Sequence, residues 1–90
     1  MDRDFVPRLA KKARLRFDRH AARWMIVYPE RGLALNESGA AIAQKLDGTR
    51  SIAAIAGELA KEHAGASAER IEADVLAFVS GLRDKGLLER

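Results

Sequence analysis

Between Ala13 and Asp18 apolar and charged residues alternate. Arg14, Arg16 and Asp18 fall on one side, and Ala13, Leu15 and Phe17 on the other, which is the period of a half-buried strand. A turn over Asp18–Ala22 leads into RWMIVYPERG, residues 23–32. Its five consecutive large apolar residues leave no polar face: Trp24, Ile26 and Tyr28 point one way, Met25 and Val27 the other. Such a strand belongs in the middle of a sheet. One face would sit on the core, and the other would be partly closed by the N-terminal region or by a partner. Pro29 cannot donate to a ladder and suits the second position of a β-turn, while Gly32 is expected to let the backbone reverse. Leu33-Ala34-Leu35 then makes a short third strand of an antiparallel meander.

After Leu35 the spacing turns helical. Asn36 or Ser38 can cap a first helix with Ala40, Ala41, Ile42 and Leu46 on its apolar side, ending at Asp47-Gly48. Ser51 caps a second, whose Ile52, Ile55, Ala56, Leu59 and Ala60 form a buried stripe closed by Gly65. Ser67 caps a third, with Ile71, Val75, Phe78, Val79 and Leu82 inside and Gly86 at its end. Leu87-Leu88 are expected to fold back on the core. The fold class is α+β, winged-helix-like in content, with a three-stranded antiparallel meander followed by three helices. Residues 1–11 show no sustained period and are expected as a flexible lead-in. Residues 12–90 are expected to form a single domain.

Composition narrows the chemistry. The 90 residues contain no cysteine, which excludes disulfides, thiolate metal sites and a Cys nucleophile. No apolar run reaches the length of a membrane span and no signal-peptide core is present, so the cytoplasm is the expected compartment. His20 and His63 have no ligand-spaced neighbours and suit surface or turn positions. Glu58, Glu62, Glu69 and Glu72 suit solvent faces of helices. Ser38, Ser51 and Ser67 are accounted for as caps, and no phosphate loop exists. No cofactor, metal site or catalytic group is expected, and the chain is not expected to be an enzyme.

The net charge of +3 is unevenly spread. Residues 1–23 hold eight basic residues against three acidic ones, a local +5, and the remainder carries −2. A solvated strand face accounts for the first group, and a site for nucleic acid or an acidic partner is the other account. A helix-turn-helix would read DNA with the start of its third helix, but Glu69, Glu72 and Asp74 outnumber Arg70 there. Carboxylates repel phosphates, so nucleic acid is disfavoured through that helix. Strand addition has firmer support. The first strand edge is guarded by charge, whereas Gly32-Leu33-Ala34-Leu35 carries none. That edge is either covered by the chain's own tail or third helix, or open to an extended peptide. It could also pair or exchange hairpins with a second copy in a homodimer.

Several blocks taken together resemble the PqqD family: Val27-Tyr28-Pro29-Glu30, Leu35 to Ile42 (LNESGAAI), Asp47-Gly48 with Ile52 and Ile55, and Asp74-Val75 with Phe78. The resemblance runs over about residues 7–88. It implies a winged-helix-type recognition domain that serves as a peptide chaperone in pyrroloquinoline quinone biosynthesis. Family members bind the precursor peptide PqqA and present it to the radical-SAM enzyme PqqE, which cross-links a Glu and a Tyr of that peptide. Related domains hold a leader peptide as an added strand on the third strand, beside the third helix. The candidate peptide-binding residues are therefore Leu33, Ala34, Leu35 and Asn36 on the strand, with Ile71, Asp74, Val75 and Phe78 as the helix wall. Asp74 could instead cap or pair within the domain. The alternatives are a basic winged-helix nucleic-acid binder and a recognition domain for another peptide-modifying pathway.

Overall fold

The run of five apolar residues lies where its two apolar faces require, in the middle of a sheet. The computed structural model describes residues 1–63 and 65–89. Three strands, β1 (Arg14–Asp18), β2 (Arg23–Tyr28) and β3 (Arg31–Ala34), precede three helices, α1 (Glu37–Ala43), α2 (Ile52–Glu62) and α3 (Ala68–Asp84). The sheet is antiparallel in the order β1-β2-β3, so the α+β meander-then-helices architecture is the one expected.

Register decides which face is buried. Leu15 pairs with Ile26 and Ile26 with Leu33, so these three share the face turned to the helices. Ile26 is 0% exposed. It packs in one cluster with Leu35, the α2 stripe Ile52, Ile55 and Leu59, and the α3 stripe Val75, Val79 and Leu82. Phe17 also faces inward, yet at the sheet's margin it is 49% exposed and stacks edge-on against Trp24, with ring centroids 5.5 Å apart. Leu87 folds back into the core, as its apolar tail suggests.

The hairpin turn differs from expectation. Tyr28 pairs with Arg31, which leaves Pro29 and Glu30 as a two-residue loop. With Pro first, the second loop residue takes the positive φ, and Glu30 sits at φ 65. Gly32 lies inside β3 opposite Val27 instead of turning the chain. A Cβ there would stand 2.9 Å from the Met25 methyl, so its missing side chain makes room for Met25. α1 also ends a turn earlier than Asp47-Gly48, at Ala43. Lys45 and Leu46 then bond to Ile42 and Ala43, three residues back, and Gly48 takes φ 81 in the following loop.

Residues 1–11, expected as a loose lead-in, are tied along the helices. The first amides of a helix have no partner within it, and the lead-in supplies partners for α2. Ile52 N–H donates to the Phe5 carbonyl and Ala53 N–H to that of Arg3, both at 2.9 Å. Ser51 Oγ accepts from Ala54 N–H. Further along, Ala10 bonds to Leu87 and Glu89 to Arg8, both at 2.8 Å, and Pro7 is buried. The lead-in is thus spent on the helical side. The outer sheet face with Met25 and Val27 is not closed by it. Those two half-buried side chains stand beside their cross-strand neighbours Arg16 and Arg14.

Several helix carboxylates expected on solvent faces are ion-paired across elements. Lys45 Nζ lies 2.9 Å from Glu62 and 3.5 Å from Glu58, which Arg50 also meets at 2.9 Å. Arg3 meets Glu72 at 2.9 Å. The hydrogen bond from Lys45, the largest cause, holds the Glu62 carboxyl below its ordinary 4.5. The same bond, chiefly, raises the Lys45 ammonium above 10.5.

Three substitutions probe this account by chemical denaturation. Ile26→Ala is expected to cost about 2–5 kcal/mol, because it empties the centre of the core. Glu30→Gly is expected to stabilise by about 1 kcal/mol, since glycine carries no penalty at positive φ. Gly57→Ala, inside α2 with nothing within 4 Å of the added carbon, is expected to stabilise by about 0.5–1 kcal/mol. The Lys45–Glu62 pair predicts a pH signature. Its contribution is full above the unfolded Glu62 value and is lost as pH falls through the depressed folded one. At the alkaline end it persists below the unfolded Lys45 value and is lost as pH rises through the raised folded one. The stability difference between wild type and Glu62→Gln should therefore shrink at both extremes. A difference independent of pH would refute the pairing.

Candidate functional site

β3 is an edge strand, and its hydrogen-bonding pattern follows from one bond. Leu35 N–H donates to Trp24 O at 3.0 Å. Antiparallel pairing alternates, so Leu33 and Arg31 also turn their backbone groups toward β2. The N–H and C=O groups of Gly32 and Ala34 consequently point out of the sheet. No described strand pairs with that side, so the open-edge alternative holds for these two residues. The side chains of Leu33 and Leu35 turn inward toward α3.

The end of β3 is held firmly. Asn36 caps α1, its Oδ1 accepting from Gly39 N–H at 2.8 Å, while its carbonyl accepts from Ala40 N–H. A Cβ on Gly39 would lie 3.0 Å from the Phe78 ring. The lack of a side chain at Gly39 lets the first turn of α1 and the middle of α3 approach closely. Between β3, this turn and the second half of α3 runs a groove of about 280 Å³. Leu33, Ala34, Leu35 and Asn36 form one wall, and Ala77, Phe78, Gly81 and Lys85 form the other.

The strand residues and Phe78 come together as anticipated, but the rest of the helix wall does not. Val75 is 0% exposed and belongs to the core stripe with Val79 and Leu82, so it offers no surface to a ligand. Ile71 and Asp74 line a separate, larger cavity of about 610 Å³ beside Ala41, Leu59 and Arg70. The reason is helical geometry: residues 71 and 81 are about 15 Å apart along the axis, so only the second half of α3 runs beside β3. Ala77, Gly81 and Lys85, which sequence reasoning missed, make the actual wall. Their i, i+4, i+8 spacing could have pointed to it, but an alanine, a glycine and a lysine next to an apolar stripe have no hydrophobic signal of their own.

No described group of three or more His, Asp or Glu residues is arranged to hold a metal. His20 and His63 are both exposed, in line with their expected surface positions. What the site offers is a row of backbone donors and acceptors beside a narrow apolar trough.

Comparisons with known proteins agree with this architecture. Residues 23–88 match the family model for coenzyme PQQ synthesis protein D (PqqD). A "PqqA binding protein" of Xanthomonas oryzae pv. oryzae is 45% identical, over 96% of this chain and 92% of that protein. The solution NMR structure of the PqqD truncation of Methylobacterium extorquens PqqCD represents a functional, stand-alone RiPP recognition element. It superposes with a TM-score of 0.85 at 35% identity, covering 99% of this chain and 94% of that one. The crystal structure of PqqD from Xanthomonas campestris is 39% identical, covers 100% and 99% of the two chains, and has a TM-score of 0.64. By identity and coverage along nearly its whole length, this chain belongs to the PqqD family.

Proposed function

We propose that this chain is a non-catalytic adaptor that binds the precursor peptide PqqA by strand addition to β3 and presents it to the radical-SAM enzyme PqqE. The carrying observation is the outward-turned backbone of Gly32 and Ala34 beside the trough against α3. The name of the Xanthomonas oryzae relative, a PqqA binding protein, and the recognition-element role of the Methylobacterium domain support the same reading.

An added strand would exchange hydrogen bonds with Gly32 and Ala34 and direct every second side chain into the trough. Each backbone bond contributes about 0.5–1.5 kcal/mol net, and each well-buried large apolar side chain about 1.5–3 kcal/mol. The ladder therefore sets direction and register, while the trough supplies most of the affinity. The small Ala77 and Gly81 leave the space that such side chains require. Val75 has no part in this contact, and Ile71 and Asp74 lie beyond the stretch of helix that faces β3.

Titration of labelled protein with PqqA should shift the amides of residues 32–36 and 77–85. Shifts confined to β1, with β3 silent, would sink the assignment. Ala34→Pro removes an N–H that points away from β2, so the domain should still fold. PqqA affinity should nonetheless fall at least about tenfold through loss of the bond and blockage of the edge. Gly81→Leu, at a position with open space around the added carbon, should fill the trough and weaken PqqA binding without loss of thermal stability.

A further inference from the structure

The cations of the helical half are largely matched. Arg3, Arg8, Lys45, Arg50 and Arg83 each lie within 4.0 Å of a carboxylate. Those of the sheet are not. Residues 11–31 hold seven basic residues against Asp18 and Glu30, and among the described residues none of the seven meets a carboxylate. Register gathers three of them on the outer face: Arg14 opposite Val27, Arg16 opposite Met25, and Arg23 opposite Asp18. Asp18 forms no ion pair with Arg23; its Oδ1 accepts from the amides of His20 and Ala21 at 2.9 and 3.2 Å, and three arginines against this one carboxylate leave the face basic.

The centre of this face is apolar. Met25 and Val27 are half-buried there beside the exposed Gly32 and Ala34, and the Met25 methyl lies over Gly32. A patch with a Met/Val centre and an arginine rim has the composition of a protein–protein contact, in which Arg and Met are enriched. It lacks the protruding helix or ribbon that enters a DNA groove and presents no stacking aromatic for a single strand.

We infer that the outer face of the sheet, built from Arg14, Arg16, Arg23, Met25 and Val27, docks on a carboxylate-rich protein surface of the enzyme that receives the peptide. The inference rests on the proposed function, and strand addition explains why this face suits the task. A peptide added to β3 extends the same sheet, so its outward side chains lie beside Gly32 and Ala34 on this very face. An enzyme seated on the arginines would meet the peptide from the side not held in the trough. Arginine suits the contact because its planar fork binds carboxylates in pairs of hydrogen bonds.

The test is the association of PqqE with the full chain carrying PqqA, followed by surface plasmon resonance at low and high ionic strength. Wild type should bind faster at low salt. Arg14→Glu/Arg16→Glu should associate about tenfold more slowly and lose the salt dependence, while PqqA binding and thermal stability stay unchanged. If the double reversal fails to fold, Arg14→Gln/Arg16→Gln carries the same test. Unchanged PqqE association in a folded variant overturns the inference. So does salt-dependent binding of a short DNA duplex to these arginines that leaves PqqE association unaffected. Wild type that binds PqqA but not PqqE overturns the inference and leaves strand addition standing. Wild type that binds PqqE but not PqqA overturns strand addition, and the arginine variants then still report on docking.

Discussion

Everything in this domain depends on the register closed by Pro29 and Glu30. Pairing Tyr28 with Arg31 places Ile26 opposite Leu33 and directs Trp24, Ile26 and Leu33 at the helices. A slip of one residue would exchange the two faces of the strand, putting Met25 and Val27 on the core. The same register turns the backbone groups of Gly32 and Ala34 outward. One two-residue loop therefore sets the core, the open edge and the composition of the solvent face, and it does so with Glu30 held at a positive φ.

The lead-in and the C-terminal tail share a second task. Residues 3 and 5 occupy the start of α2, residue 8 meets residue 89, and residue 10 meets residue 87. These contacts lie on the helical side and leave both β3 and the outer face of the sheet unobstructed. The charge follows the same division. Five cations of the lead-in and helical half (Arg3, Arg8, Lys45, Arg50 and Arg83) meet carboxylates, whereas among the described residues those of residues 11–31 do not. The proposed peptide edge and the basic outer face are thus separate surfaces of one small domain.

Much of the fold was legible because its signals are local. The alternation of residues 13–18, the caps Asn36, Ser51 and Ser67, and the α2 and α3 stripes each depend on neighbours within a few residues. The blocks resembling the PqqD family likewise pointed to the family that the comparisons establish. The candidate site was only partly legible. Leu33 to Asn36 and Phe78 stood out as an uncharged edge and an apolar helix position. Val75, on the same apolar helix, is a core residue, and Ala77 and Gly81 carry no hydrophobic signal although they shape the trough.

Local signals in the chain were enough for the order of the elements, the centrality of the Trp24–Tyr28 strand and the uncharged stretch Gly32–Leu35 that follows Arg31 at the start of β3, because period, caps and turn residues act over short distances. Tertiary structure alone decided that the turn falls on Glu30 and not on Gly32, and that the lead-in caps α2. It also decided that only the second half of α3 faces β3. These outcomes depend on how one element lies against another many residues away. Burial and pairing between distant elements select among local conformations that the chain allows almost equally well.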